Sequence, residues 1–223
     1  MKLGNRIELH IHSLFSDGVL LPSEIVRRAE ALGYSAVAIT DHADASNLEF
    51  IVPRLITASD EMKKHSSVQL IPGVELTHIP LRSINGLARR ARQLGAELIL
   101  IHGETLIEPV QHGTNHAAVS CEEVDILAHP GLLSEVDAAL AAKNNIYIEL
   151  SARKGHCLTN GHVVKIAKMA EAKMVLNTDL HEPTEFITQE QAFQITLGSG
   201  LDDSEALKVI KENPENLVKR FTR

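Results

Sequence analysis

Tryptophan is absent from this chain, and aromatic residues make up only 3% of its 223 residues, with two Tyr and five Phe. A core without large rings must be filled by Leu, Ile, Val and Ala. Cysteine occurs twice, at Cys121 and Cys157, which excludes a disulfide framework and points to a reducing compartment. No apolar run reaches the roughly eighteen residues that a membrane-spanning helix needs. The start, MKLGNRIELHIH, has no apolar stretch of signal-peptide length. A cytoplasmic protein with no membrane contact is therefore expected. Basic residues are also in deficit, 22 Lys plus Arg against 29 Asp plus Glu, for a net charge of −7. With few stacking aromatics, that balance counts against gripping long nucleic acid through its phosphates.

What the sequence has in excess is histidine, twelve in all. They fall on a regular frame. Short apolar runs read as strands at Ile7–Ile11, Ser35–Thr40, Val68–Leu76, Glu97–Ile101, Val124–Ala128, Ile146–Leu150 and Met174–Asn177. Between them, helices are expected at Pro22–Leu32, Leu48–His65 (disturbed by Pro53), Ser83–Leu94, Leu133–Lys143 and Val163–Ala172. The tail, Ser204–Thr222, reads as a helix broken at Pro214. Strands apolar on both faces that alternate with helices argue for a buried parallel sheet. Seven such units fit a barrel somewhat smaller than the eightfold form, with a doubly wound open sheet as the alternative.

The potential metal ligands gather at the C-terminal strand ends. His10 and His12 end the first strand, with Asp17 just beyond. Asp41 and His42 follow the second, Glu75 the third, His102 the fourth, His129 the fifth, and Asp179 and His181 the seventh. In a parallel barrel these ends form one face, where active sites lie. Spacing by two puts His10 and His12 on one side of their strand. Imidazole with carboxylate suits Zn, Mn or Fe. After the sixth strand, Arg153 and Lys154 are the natural phosphate-binding pair, and His156 and His162 are candidates to line the same pocket. The segment holding His112 and His116 reads as a loop at the mouth, and His65 as surface. His78 remains unassigned.

The string His10-Ile-His12-Ser-Leu-Phe-Ser16-Asp17-Gly18, then Ile39-Thr40-Asp41-His42, Pro72-Gly73-Val74-Glu75, Ala128-His129-Pro130-Gly131 and Asn177-Thr178-Asp179-Leu180-His181 resembles the motif series of the PHP (polymerase and histidinol phosphatase) family, in family order. The resemblance implies a distorted (β/α)7 barrel, one domain over residues 1–223, binding up to three divalent ions. It assigns His10, His12, Glu75 and Asp179 to one ion, and Glu75, His102 and His129 to a second. Asp17, His42 and His181 fall to the third. Glu75 and Asp179 are the residues it makes catalytic. Glu8 and Asp41 are implied to support ligands rather than to bind metal. The implied activity is a phosphoesterase using metal-activated water, on a small phosphorylated metabolite such as histidinol phosphate. A 3′–5′ exonuclease or nucleotide phosphatase is the rival enzyme, and a non-catalytic metal-binding regulatory module the rival of another class.

Overall fold

The apolar runs become parallel strands. The computed structural model describes residues 2–221. In it β1 (Ile7–Ile11), β2 (Ala36–Ile39), β4 (Gln69–Leu76), β5 (Leu98–His102), β6 (Ile126–Ala128), β7 (Tyr147–Ser151) and β8 (Met174–Asn177) pair in that order. Each pairing is parallel, as in Ile7↔Ala36, Ala36↔Gln69 and Gly73↔Leu98. A bridge between Ile11 and Leu180 brings the last strand's continuation back to the first. There the His12 amide donates to the Leu180 carbonyl (2.8 Å), and the Leu180 amide donates to the His10 carbonyl (3.2 Å). The result is a nearly closed seven-stranded TIM-like barrel, not the open sheet held as the alternative.

Helices cover the outside, among them α1 (Pro22–Ala31), α2 (Leu48–Met62), α3 (Ile84–Leu94), α5 (Glu135–Asn144) and α6 (Asn160–Met169). Pro53 lies inside α2, which continues through it. Three elements differ from the sequence reading. His42–Ala43 forms a two-residue strand, β3, pairing with β4. The segment read as a loop is entered through Gly113, whose φ of 94° starts the short helix α4 (Thr114–Val119). A further helix, α7 (Gln189–Gly198), opens with a reciprocal cap between Thr188 and Gln191. The tail is α8 (Asp203–Leu207), a wide π turn over Lys208–Glu212, and α9 (Asn213–Val218), with Pro214 tolerated in a first turn. Thr222 lies outside the described residues. Among the described residues no helix is long and apolar enough to cross a membrane.

The core has two parts. A large cluster lies between strands and helices, and a smaller one includes Ile71, Leu98, Leu100, Tyr147 and Val175. Strand side chains alternate, so an inner apolar residue shares its side of the strand with residues two and four further along. Ile71 leads to Glu75, Leu100 to His102, Tyr147 to Glu149, and Val175 to Asn177. The barrel therefore has an apolar floor and a polar mouth.

Candidate metal centre

Two glycines let the loops meet beside the histidines. A Cβ on Gly103 would lie 2.2 Å from the Ala128 carbonyl oxygen, and one on Gly131, with φ of 64°, 1.9 Å from that of Glu104. Only glycine permits this approach of the β5 and β6 loops just beyond His102 and His129. His129 and Asp179 themselves hold positive φ values of 23° and 52°. Such backbone is costly outside glycine and persists where its surroundings enforce it.

The side chains converge in three groups, each with donor atoms within 4.8 Å: His10, His12 and Asp179; Glu75, His102 and His129; and His12, Asp17, His42 and His181, the first and last sharing His12. His12 Nε2 lies 3.1 Å from Asp179 Oδ1 and 3.5 Å from Glu75 Oε2. His129 Nε2 is 3.3 Å from Glu75 Oε1, and His181 Nε2 is 3.2 Å from Asp17 Oδ1. All nine residues named from the sequence are thus brought together. Glu75 is fully buried. Burial opposes its ionisation, yet His10, His102 and His42 hold its carboxyl well below the usual carboxylate range.

The donor set fits a divalent ion. His10 Nε2, His12 Nε2, His129 Nε2, Glu75 Oε1 and Asp179 Oδ1 are all buried without a hydrogen-bond partner. Leaving several such atoms unsatisfied in one pocket is expensive, and a shared cation satisfies them together.

Glu8 and Asp41 act through backbone amides and turn hydroxyls, Glu8 on the His10 amide among them (3.3 Å). Asp41 accepts from the Ser13 amide (2.7 Å), the Ser13 hydroxyl (2.7 Å) and the Ser16 hydroxyl (2.6 Å). It therefore pins the turn that carries Asp17, and reaches His12 only through Ser16. Glu8 accepts from the Thr178 amide at 2.9 Å and pairs with buried Arg6. The residue that orients a ligand is Glu149, which sequence reasoning passed over. His10 Nδ1 donates to its Oε1 at 2.8 Å, Asn177 Nδ2 donates to the same oxygen at 2.8 Å, and the His129 amide donates to Oε2 at 3.0 Å. A glutamate between Ile148 and Leu150 in a strand was the available signal.

The mouth is a cavity of about 450 Å³ whose lining includes Asp17, His42, His102, Arg153, His156 and Asp179. Arg153 Nη1 donates to the Asp179 carbonyl (2.9 Å) and to Glu185 Oε1 (3.0 Å). Lys154 is exposed and absent from the lining, so the expected basic pair is split, with Arg153 on the cavity and Lys154 in solvent. His156 is buried with Nδ1 2.7 Å from Thr105 Oγ1. Burial and the neighbouring His129 push it down to about 3, which keeps it neutral. His162 faces away and bonds the Leu133 carbonyl at 2.9 Å. His112 and His116 are exposed beside Glu104 and Asp137. Glu108, also unforeseen, sits among the histidines. A hydrogen bond from His102 brings it down to about 2.

The chain is similar to known proteins. An uncharacterized protein of Methanocaldococcus jannaschii is 44% identical over 97% of this chain and 100% of its own length. Ribonuclease P protein component 3 of Methanosarcina barkeri is 25% identical, covering 92% of this chain and 85% of that one. In a cryo-EM structure of archaeal ribonuclease P with mature tRNA, one chain superposes with a TM-score of 0.74 at 19% identity, over 96% of this chain and 91% of that one. These likenesses overturn the expectation that the partner is a small phosphorylated molecule and that long nucleic acid is disfavoured, pointing instead toward protein and RNA. Net charge sums over a whole surface and does not fix the sign at one groove or against one partner. The PHP domain family matches residues 8–178, the stretch that carries nearly every residue of the centre, and the chain belongs to that family.

Proposed function

We propose that this protein is a metal-dependent phosphoesterase that hydrolyses a phosphoester at an RNA end. The observation that carries the reading is the set of buried, unpartnered donor atoms on His10, His12, Glu75, His129 and Asp179, the last of which lines an open cavity. His10, His12, Glu75 and Asp179 would hold one divalent ion, Glu75, His102 and His129 a second, and Asp17, His42 and His181 a third. When bound, zinc, manganese or iron supplies a nucleophile from water near neutral pH and neutralises charge at phosphorus. The protein's own contribution is placement. Glu149 fixes the His10 tautomer, Glu75 spans two ligand groups, and Asp41 holds the turn bearing Asp17. Arg153 presents a positive charge to the cavity without belonging to any ligand group, so it is the residue suited to a phosphoryl oxygen.

RNA is the favoured substrate class because the ribonuclease P component matches nearly the whole chain. A cavity of about 450 Å³ admits one nucleotide rather than a helix. Beyond Ser46 and Asn47 of its lining, α2 carries Phe50, which is 46% exposed with the Arg54 guanidinium 3.6 Å from its ring centroid. That pair offers a surface against which a base can stack.

The same relative favours one second reading, an RNA- and protein-binding subunit without turnover. The test is incubation of short oligoribonucleotides bearing 5′- or 3′-phosphates with manganese or zinc, before and after chelation. Chelator-sensitive release of phosphate or nucleotides is expected. RNA binding without release under any metal would establish the second reading instead.

A further inference from the structure

A further group of ligand-type side chains lies toward the mouth and shares one residue with the inner groups. His78 follows β4, His102 ends β5, and Glu108 comes from the loop after β5. Glu108 Oε2 lies 3.0 Å from His102 Nε2 and 3.4 Å from His78 Nε2. With metal–donor bonds of about 2.1 Å, donors on one ion stand roughly 3.0 Å apart in octahedral and roughly 3.4 Å apart in tetrahedral coordination. Both spacings therefore suit a shared cation. Burial is graded along the group. The His102 side chain is 3% exposed, Glu108 35% and His78 43%. His102 Nδ1 is moreover buried and unpartnered. His102 thus belongs to two triads, an outer one with His78 and Glu108 and an inner one with Glu75 and His129.

We propose that His78, His102 and Glu108 form an outer divalent-cation site at the mouth, and that an ion captured there passes to the inner group through His102. The proposal rests on the inner group holding metal, as the proposed function requires. A deeply buried ligand set needs an entry path, and a polar, half-exposed triad sharing one ligand with it provides that path. Because His102 serves both triads, the outer site is a waypoint and not a store.

The experiment uses the full chain stripped by a chelator, mixed rapidly with cobalt(II), and followed by visible absorption and by ions bound at equilibrium. Glu108→Gln removes the carboxylate charge. His78→Asn removes the ring while keeping a residue that accepts the positive φ of 51° at this position. Each is expected to slow loading at least fivefold with the final ion count unchanged, whereas His65→Ala loads like the parent. Loading within twofold of the parent in both variants would overturn the capture route, as would loss of an ion at equilibrium, which would make these permanent ligands. A parent protein that takes up no cobalt would instead sink the inner centre itself.

Discussion

The His10 imidazole and the Glu149 carboxylate meet across the barrel, Nδ1 to Oε1 at 2.8 Å, with both side chains fully buried. This contact commits the Nδ1 proton and turns Nε2 toward Glu75 and Asp179, at 3.4 and 3.5 Å. Partners of this kind set ligand basicity and ring orientation. Glu149→Gln keeps the shape but loses the charge. It should weaken metal binding about 10- to 100-fold, measured by competition with a chromophoric chelator. An unchanged affinity would reduce Glu149 to a packing residue.

Glu75 and His181 should separate the sites. Glu75 stands between two ligand groups, so Glu75→Gln is expected to lower ion content at more than one site. His181 belongs to one group with Asp17, so His181→Ala should cost a single ion. Elemental analysis of both purified variants decides this. Equal losses would show that the sites fill as one unit.

Arg153 braces the Asp179 carbonyl and Glu185 while lining the cavity. Arg153→Ala should keep its metal and lose roughly ten- to hundredfold in kcat/KM, the value of one charge-assisted contact of about 1.5–3 kcal/mol. Arg153→Lys should recover only part, because a point charge cannot reproduce a planar fork. Kinetics on a phosphorylated oligoribonucleotide, paired with ion content, give the answer.

Tyr34 predicts an alkaline weakness. Its hydroxyl donates to the Ile187 carbonyl at 2.6 Å, and burial pushes its pKa from 10.0 up to about 12. The unfolded chain therefore releases this proton first, and stability falls as pH rises from 10 toward 12. The full loss is up to about 2–3 kcal/mol. Urea unfolding across that range should show the decline in the parent and a shallower one in Tyr34→Phe, which at neutral pH gives up about 1 kcal/mol for the missing bond.

Most of the barrel was legible because its strands are apolar on both faces, and their C-terminal residues break that pattern with histidine and acid. What escaped was set by tertiary contacts. Two residues, His42 and Ala43, become a strand only through pairing with Glu75 and Leu76. Gly113 and Asn115 looked like loop residues, but the Asn115 side chain accepts from the Glu104 amide and donates to the Pro130 carbonyl, tying α4 to two neighbouring loops. The Thr188–Gln191 cap of α7 has the spacing of a capping box and is legible in the sequence. Glu108 lies in a segment without period, and only the folded loop sets it beside His102. The separation of Arg153 from Lys154 was equally invisible, because adjacent residues in a turn carry no fixed facing.

The seam between Ile11 and Leu180 has a consequence for how the protein is made. His10 and His12 are synthesised well before Asp179 and His181, which follow the last strand. Since the first and last strands meet beside the ligands, no nascent chain that stops short of His181 carries a complete ligand set. Such distant pairings are slow to form. Assembly of the full donor set is thereby postponed until the last strand has been made, and the early histidines must wait for their partners.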